Sequence, residues 1–372
     1  MGSFFDELRQ QIGAAYLGGF SCLDWARFLH LNRWEIEPRF LPRAIHASFR
    51  TVATSALKCL EDRIDLSGVN EQAWRKPVFL LGLPRSGTTH LYNLLAKDDR
   101  FGFPTRFDVF NPHTFLTLRK LGLHHLLARQ PALKRPMDNV EVGWLSPEED
   151  NIALGILAGS GPRVEGVFPK RTTYADRFRP LRERSEEERR SFREALALFT
   201  RKMVYACNRP LLLKSPAHAL CIEDILMVFP QAKFIGIARD PLAQFASLWH
   251  MLDITRREGW GTLQECPKII DAELLARIEQ HVHSYCRARC LIPPQNLVEI
   301  RYESLVANPL DIISQIYSGL GLELPMEFAC FENKDRYIPN QHAPLEKNIS
   351  ERLQEIYRPF YEAGILSEEE DS

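Results

Sequence analysis

The stretch LLGLPRSGTTH, residues 80–90, contains the glycines and hydroxyl groups of a loop that binds a phosphate. Gly82 and Gly87 have the spacing of the GxxxxGK[ST] loop of nucleoside-triphosphate sites, but Thr88 stands where that loop has lysine. Glycines allow the backbone to curve until several N–H groups converge on one anion, and the positive end of the next helix adds to the attraction. The loop therefore predicts an anion site that differs from a magnesium-triphosphate site.

The basic group of this loop is Arg85, which lies between the two glycines. Its planar guanidinium can contact two oxygens at once, and the hydroxyls of Ser86, Thr88 and Thr89 can donate further hydrogen bonds. These donors suit an anion with two oxygen-bearing groups better than a magnesium-bound triphosphate. The alternative without a ligand is a turn that only caps the following helix.

The sequence IARDPLAQFAS, residues 237–247, places a second arginine near a hydroxyl group. Arg239 falls at the carboxyl end of a predicted strand, and Ser247 falls two turns into the next predicted helix, so both side chains can reach one phosphate. Taken alone, the Arg-Asp-Pro sequence fits a helix cap with a local ion pair equally well.

Short apolar runs that are each followed by a helical pattern recur along the chain. Such runs are typical of strands that are buried on both faces. Strands that alternate with helices form a parallel sheet covered by helices, with ligands at the carboxyl ends of the strands. We therefore predict an α/β fold with a P-loop-like parallel sheet, whose strands span residues 77–81, 210–214, 233–238 and 297–302.

Two helix starts can be located from their capping residues. Ser185 and Glu188 form a capping-box pattern ahead of an amphipathic helix that extends through Ala206. Asp240 followed by Pro241 is a second start signal, with an N-cap acid and a proline in the first turn.

Residues 1–75 are predicted to be a helical extension ahead of an α/β domain that spans residues 76–372. Apolar residues recur with the α-helical period in the segments 4–17, 23–31 and 45–64. The last segment is amphipathic. It can pack on the main domain, which is the interpretation we favour, or it can lie at a membrane interface and bring the protein to a lipid-like substrate.

The charge and cysteine content argue against several classes of function. The 372 residues include 47 basic and 48 acidic side chains, and a net charge of -1 gives no reason to expect a nucleic-acid partner. The 8 cysteines form no CxxC pair, so we expect a reducing, cytoplasmic location without a disulfide framework. Cys286 and Cys290 could bind a metal with His283, but packing explains this spacing more often, and we predict no metal site.

Neither a signal peptide nor a transmembrane segment is predicted. The start MGSFFDELRQQ lacks the basic and apolar regions of a signal peptide. The longest stretch without a charged residue is 14 residues long, from Gln10 to Leu23, which is too short to span a bilayer. Contact with a membrane at its periphery is still compatible with the sequence.

Four motifs occur in order along the chain: LPRSGTT (83–89), LLLKSPAH (211–218), ARDPLAQFAS (238–247) and RYESLVANP (301–309). Together they resemble the sulfotransferases that use 3′-phosphoadenosine 5′-phosphosulfate, abbreviated PAPS. The resemblance is greatest to a bacterial branch with a helical N-terminal extension, to which the segments 103–116, 135–150 and 336–345 are also similar. It extends from about residue 36 to residue 364, which is nearly the whole chain.

The resemblance implies which residues bind the sulfonate donor. In that family the glycine loop grips the 5′-phosphosulfate, which here implies Arg85, Ser86, Gly87, Thr88 and Thr89.

Other donor contacts are implied by the remaining motifs. An arginine and a serine eight residues apart bind the 3′-phosphate in that family, which implies Arg239 and Ser247. A tyrosine near the adenine implies Tyr302, and a basic residue beside the sulfonate or its bridging oxygen implies Lys214. The implied reaction is in-line transfer of a sulfonate group to an acceptor oxygen or nitrogen, without a metal ion.

The base that takes the acceptor's proton is less well defined. Relatives use a histidine or a glutamate, often in the segment after the loop helix, where this chain has Asp108 and His113. We place these two residues first and His218 next. His113 could equally be a core histidine, and His218 could face solvent at a helix start.

An acidic cluster supplies three further candidates for the base, Glu148, Glu149 and Asp150. Because they follow Ser146 and Pro147, the cluster also fits the first turn of a helix, with serine as N-cap and the acids as capping groups.

Two other functions share these features. An atypical P-loop kinase or NTPase would have the same fold, but it needs an acid that holds magnesium, for which Asp240 is the nearest match. A non-catalytic nucleotide-binding module would be favoured if Arg85 or Lys214 were missing, and both are present.

No motif specifies the acceptor. The apolar residues of the segment 101–127 and the amphipathic N-terminal helices favour a lipid, a glycolipid or a hydroxylated metabolite, although such residues also form cores. We therefore predict a small-molecule, lipid or glycan acceptor, and the sequence predicts no oligomeric state.

Overall fold

The central sheet of the protein has four parallel strands in a computed structural model that describes residues 15–135, 137, 140–259, 261–325, 328 and 345–366. The six strands of the described chain are β1 (Val78–Gly82), β2 (Leu133–Lys134), β3 (Glu141–Val142), β4 (Leu212–Lys214), β5 (Lys233–Ala238) and β6 (Leu297–Arg301). The central sheet has the order β4–β1–β5–β6, and β2 pairs with β3 in a separate antiparallel hairpin.

Helices cover both faces of this sheet. Short 3₁₀ turns at Ala15–Gly19, Pro38–Phe40, Asp176–Phe178, Leu181–Glu183, Pro216–Leu220 and Pro294–Asn296 connect or extend them. The helices are α1 (Cys22–Leu31), α2 (Leu41–Glu61), α3 (Glu71–Trp74), α4 (Thr88–Leu95), α5 (Arg106–Phe110), α6 (Phe115–Lys120), α7 (Leu123–Ala128), α8 (Asn151–Ala158), α9 (Pro162–Glu165), α10 (Glu186–Cys207), α11 (Ile222–Val228), α12 (Pro241–Glu258), α13 (Asp271–Arg289), α14 (Tyr302–Ala307), α15 (Pro309–Gly319) and α16 (Lys347–Glu362).

The predicted strands and helix starts are confirmed to within a few residues. Strand β5 has the predicted bounds, and the other three strands begin or end within two residues of them. Ser185 and Glu188 make both hydrogen bonds of a capping box ahead of α10, and the Asp240 carboxylate accepts from the Ala243 N–H at 2.6 Å at the start of α12. The predicted helix over residues 4–17 lies almost entirely outside the described residues.

The strand order places two loops side by side. In chain order the four strands of the sheet are arranged 2-1-3-4, so the direction of winding reverses between β1 and β5. At the carboxyl ends of these strands Gly82 is paired with Ile237. Ligands of doubly wound sheets bind in the crevice at such a reversal, and here the loops that follow β1 and β5 form it.

All five residues of β1 are buried. The side chains on its two faces belong to two different apolar clusters. Phe79 and Leu81 belong to the larger cluster, which includes side chains of α1, α8, α10 and α13. Val78 and Leu80 belong to the smaller cluster, which includes side chains of α4 and α15. The prediction of a parallel sheet covered on both faces is therefore confirmed.

The helices before β1 pack on the rest of the chain, as the favoured interpretation predicts. Tyr16 and Phe28 are part of the larger cluster, and the Arg43 guanidinium donates to the carbonyls of Gly259 and Thr262 at 2.7 and 2.6 Å. The division at residue 75 stays a prediction. No helix within the described residues combines the length and the apolar character needed to cross a bilayer.

Candidate active site

The loop after β1 turns sharply because two of its residues adopt left-handed backbone conformations. Arg85 has φ 70°, and Gly87 has φ 93°. A Cβ atom on Gly87 would lie 2.1 Å from Cδ2 of Tyr302, so only glycine fits between the loop and this ring. Gly87 also caps α4, so the amino end of that helix begins inside the loop.

The hydroxyl group of Ser86 is completely buried in this loop, and within the described residues it has no hydrogen-bond partner. A Cβ atom on Gly82 would lie 2.6 Å from this oxygen, so the glycine leaves room for it. A buried hydroxyl without a partner costs free energy unless a water or a ligand satisfies it. A water or a bound group is therefore needed to complete the hydrogen bonding of Ser86.

Arg85, Arg239 and Ser247 come together at the crevice between β1 and β5, so the loop arginine lies beside the two residues predicted to reach one phosphate. Arg85 Nε donates to Ser247 Oγ at 3.0 Å, and Arg239 Nη1 donates to the Arg85 carbonyl at 3.2 Å. The Arg239 guanidinium also lies 4.7 Å from the ring centroid of Tyr302. Gln244, which the motifs did not single out, holds the loop through a 2.8 Å hydrogen bond to the Pro84 carbonyl.

Lys214 ends strand β4 beside Leu80 of β1, and its ammonium group faces the same loop. Its Nζ donates to Glu149 at 2.9 Å and to Thr89 at 3.4 Å, and lies 5.7 Å from the ring centroid of Tyr92. Burial would raise the pKa of Glu149, but the charge and the hydrogen bond of Lys214 outweigh this and hold that pKa below its ordinary value.

The acidic cluster Glu148–Asp150 lies beside Lys214 and His218. The alternative that a helix begins at Ser146 is wrong. The Ser146 hydroxyl instead accepts from the Gly143 N–H at 2.9 Å in a turn, and α8 begins only after Asp150. Glu149 is thereby free to pair with Lys214, 65 residues further along the chain.

Asp150 and His218 form a second pair next to Lys214 and Glu149. His218 Nε2 lies 2.9 Å from Asp150 Oδ2, and both side chains are almost completely buried. The alternative that His218 faces solvent is therefore wrong. Glu149 therefore pairs with Lys214, the last residue of β4, and Asp150 pairs with His218, in the turn after β4.

A cavity of about 280 Å³ lies beside Lys214, between α4 and the hairpin of β2 and β3. Lys214, Thr89 and Glu148 all contribute to its wall. The other lining residues are Asn93, Ala96, Lys97, Phe103, Arg135, Val140, Glu141, Val142, Ser146 and Pro147.

Asp108 does not line this cavity, and its carboxylate has a structural role. It closes a capping box with Thr105 at the start of α5, and both of its oxygens accept from the Arg119 guanidinium at 2.8 and 2.7 Å. The side chain is completely buried. A carboxylate with all these partners is poorly suited to accept a substrate proton, so the first choice made from the sequence is not supported.

His113 also lies away from the Lys214 cavity. Its Nε2 is 3.7 Å from a carboxylate oxygen of Asp24 in α1, and the other charges that act on it belong to Lys202, Lys58 and Asp62. Burial lowers the pKa of His113 to about 4. The interpretation as a core histidine therefore fits its surroundings, at the junction with the N-terminal helices.

The cysteines provide no sign of a metal centre. Within the described part of the chain, no group of three or more histidine, cysteine or acidic side chains is arranged to hold a metal ion, and seven cysteines are free thiols. The Cys290 thiol contacts the carbonyl of Cys286 at 3.7 Å, and burial raises the pKa of Cys286 to about 11.

Comparison with known proteins agrees with this geometry. A profile of the sulfotransferase family matches residues 77–326. The curated omega-hydroxy-beta-dihydromenaquinone-9 sulfotransferase Stf3 of Mycobacterium bovis is 27% identical over 327 residues, which cover 87% of this chain and 82% of that protein; the Mycobacterium tuberculosis protein of the same name matches equally.

Two solved structures share the fold. Sulfotransferase STF9 from Mycobacterium avium has a TM-score of 0.62 at 20% identity and covers 86% of this chain and 85% of its own. Sulfotransferase STF1 from Mycobacterium tuberculosis has a TM-score of 0.55 at 19% identity, with 94% and 92% covered. Because the family profile spans most of the chain, this protein belongs to the sulfotransferase family and is a sulfotransferase.

Proposed function

We propose that this enzyme transfers the sulfonate group of PAPS to a hydroxyl group of a lipid-like acceptor. The observation that carries the donor assignment is the buried Ser86 hydroxyl, which has no hydrogen-bond partner among the described residues. Its loop is flanked by Arg239 and Ser247, which follow the neighbouring strand β5. A donor with separate 5′ and 3′ anionic groups matches two arginines on two adjacent loops.

The proposed contacts to the donor come from the loop after β1 and from residues that follow β5 and β6. Ser86, Thr88 and the amino end of α4 receive the 5′-phosphosulfate, since helix amino ends and converging N–H groups attract anions. Arg239 and Ser247 hold the 3′-phosphate, and Tyr302 lies beside the adenine. The Arg239 guanidinium makes only one hydrogen bond that the described residues record, so most of its N–H donors are available.

Lys214 stabilises the charge that develops as the sulfonate leaves. The acceptor oxygen forms a bond to sulfur while the bond from sulfur to the bridging oxygen breaks, and negative charge collects on the phosphate that departs. A buried ammonium group held in place before the reaction stabilises this charge strongly. Thr89 and Glu149 fix its position.

Glu148 is the proposed base, because it lines the same cavity as Lys214 and Thr89. Glu149 is the less suitable carboxylate, since its partner Lys214 lowers its pKa and so its affinity for a proton. Asp150 and His218 are buried together and act as positioning residues for the turn after β4.

The lipid-like acceptor is supported by a relative and by the surface of this chain. The curated relative Stf3 is named for an omega-hydroxylated dihydromenaquinone, which is an apolar molecule with a terminal hydroxyl group. Large apolar side chains, including Phe49 in α2 and Leu121 after α6, are exposed on the surface. A glycan or a small polar alcohol would not need such a surface.

Ligand-dependent melting tests the donor. Adenosine 3′,5′-bisphosphate should raise the Tm of the wild type, because a ligand that binds only the folded state stabilises it. Arg239→Ala should abolish this shift, whereas Arg190→Ala, at an arginine whose side chain is 66% exposed on α10, should retain it. A Tm shift with ATP and magnesium but none with the bisphosphate would favour the kinase alternative and contradict the proposal.

A pair of cavity substitutions tests the base. Glu148→Gln should lower kcat by about 10²- to 10⁴-fold, the usual contribution of a general base, without changing the bisphosphate Tm shift. Glu141→Gln is the matched control, since Glu141 lines the same cavity from β3. Equal losses in both variants would contradict the assignment of Glu148.

A further inference from the structure

Exposed apolar side chains are concentrated in the first two helices of the described chain. Of the 22 large apolar side chains that are exposed in the described residues, eight lie between residues 23 and 60. That segment is about a tenth of the chain, so the enrichment is several-fold. They are Leu23, Leu31, Trp34, Leu41, Ile45, Phe49, Val52 and Leu60.

Helix α2 packs one face on the protein and turns a largely apolar face outward. Ala44, Ala47, Thr51 and Thr54 face inward and are buried. The exposed residues recur at intervals of three and four, which places them on one outward stripe. They are Leu41, Pro42, Ile45, His46, Phe49, Val52, Ala53, Ala56, Cys59 and Leu60, and none of them is acidic.

A second group of exposed leucines lies beside the end of this stripe. The Glu61 carboxylate at the end of α2 accepts from the N–H groups of Leu116 and Thr117 in α6, which fixes the two helices together. Leu121 and Leu126, after α6 and in α7, are 63% and 58% exposed. Single exposed apolar residues are ordinary, but a surface shared by several neighbouring helices marks a contact site.

The exposed charged residues of α6, α7 and the segment up to Lys134 are all basic. Residues 109–137 contain five arginine and lysine residues and no acidic residue. Lys120, Arg129 and Lys134 among them are exposed. A basic flank beside an apolar stripe is the pattern of an interfacial helix that binds anionic lipids.

The same elements lead to the cavity wall. Helix α7 is followed directly by β2, and the hairpin of β2 and β3 contributes Arg135, Val140 and Val142 to the cavity beside Lys214. An apolar acceptor that leaves a bilayer at α6 and α7 would therefore meet the cavity next.

We propose that the outward face of α1 and α2, with α6 and α7, docks on a membrane that contains anionic lipids. The docking does not depend on the residues of the donor site. It rests on the proposed function only for its role, which is to bring the enzyme to a lipid-like acceptor. A second copy of this chain is a poorer occupant, because a two-fold contact would bring the basic residues of both copies into one interface.

Vesicle co-sedimentation tests the surface. The wild type should bind vesicles of phosphatidylcholine with phosphatidylglycerol and bind pure phosphatidylcholine more weakly. The triple variant Ile45→Gln, Phe49→Gln and Val52→Gln should lose about ten-fold or more of its partition coefficient, since it removes three side chains that insert into the interface. Lys120→Gln with Arg129→Gln should remove the preference for phosphatidylglycerol.

A matched triple variant and two further measurements make the outcome decisive. Leu198→Gln, Ile270→Gln and Leu291→Gln replace apolar side chains that are 45%, 60% and 55% exposed elsewhere, and should leave binding unchanged. Equal binding by wild type and by the first triple variant would overturn the proposal, as would a wild-type dimer that this variant converts to a monomer in gel filtration. The bisphosphate Tm shift, measured on every variant, reports the donor site separately.

Discussion

Two lysines are buried in the described part of the chain, Lys202 and Lys214, and each pairs with a glutamate in different surroundings. Lys202 and Glu61 have side chains that are 7% and 2% exposed, and Glu61 also accepts two backbone N–H groups of α6. Lys202 donates further to the Pro112 carbonyl at 2.6 Å and lies 4.9 Å from the ring centroid of Phe115. We call Lys202 and Glu61 the closed pair, because their donors and acceptors are engaged by other groups of the protein.

Lys214 and Glu149 form an open pair. Lys214 is 3% exposed, but its partner Glu149 is 29% exposed, and the third contact, to Thr89, is long at 3.4 Å. Burial of the lysine alone therefore does not distinguish the closed pair from the open pair. The difference is whether the donors and acceptors are all used by the protein, or whether some remain for a ligand.

The largest expected effect is on stability, at the closed pair. Lys202→Met should lower the free energy of unfolding by about 3–5 kcal/mol, because it leaves the Glu61 charge buried without its partner. Chemical denaturation measures this value. Lys58→Met, at a side chain that is 33% exposed and pairs with Asp62 on the surface, should cost less than about 1 kcal/mol. Similar losses in both variants would remove the distinction between closed and surface pairs.

The next effect is on catalysis, at the open pair. Lys214→Met should lower kcat by about 10²- to 10³-fold, the usual cost of removing one preorganised donor to a developing charge. Its effect on unfolding should be much smaller than that of Lys202→Met, because Glu149 can reach solvent. A loss of stability as large as that of Lys202→Met, with normal kcat, would reverse the assignment of the two pairs.

Lowering the pH should lower the free energy of unfolding through His113, which lies near the closed pair. His113, on which the charge of Lys202 acts, has its pKa lowered by burial from 6.5 to about 4. His113 therefore binds a proton near pH 6.5 in the unfolded chain but only near pH 4 in the folded protein. Because the unfolded state binds more protons between these values, the free energy of unfolding falls as the pH decreases through this window. The expected loss between pH 7 and 4.5 is about 2 kcal/mol.

Denaturation at both pH values measures this loss, and His113→Asn should reduce the slope. Part of the slope should remain, because burial also lowers the pKa of His281, to about 3. An unchanged slope in the variant would show that His113 is not the group that titrates.

The smallest effect is expected at Glu149. Glu149→Gln should cost about 1 kcal/mol, much less than Lys202→Met, because the amide oxygen of glutamine can still accept a hydrogen bond from the buried Lys214 ammonium. A double-mutant cycle with Lys214→Met would give the coupling energy, to be compared with that of Glu61→Gln and Lys202→Met. Equal coupling energies in the two cycles would contradict the comparison.

Local signals in the sequence were sufficient to predict the sheet and the glycine loop after β1. Apolar runs fix the strands because β1 and its neighbours are buried on both faces, and the caps at Ser185 and Asp240 depend on residues only three apart. Arg85, Arg239 and Ser247 could be brought together because the carboxyl ends of parallel strands meet at one edge.

The partners of the acids could not be predicted in the same way. Glu149 follows a local capping pattern but pairs with Lys214, and Asp108 and Glu61 pair with Arg119 and Lys202. These contacts depend on how helices pack, which no local pattern encodes. A cluster of acids after proline is a signal for a helix start, and here tertiary pairing prevailed over it.

The strand order has a consequence for how the chain folds during synthesis. Val78 of β1 pairs with Leu212 and with Lys233, so the central strand is complete long before either neighbour exists. At about 5–20 residues per second, a ribosome needs on the order of ten seconds to reach the first of them. For that interval an apolar strand has both edges open, and its protection must come from the ribosome, from chaperones or from the helices already made.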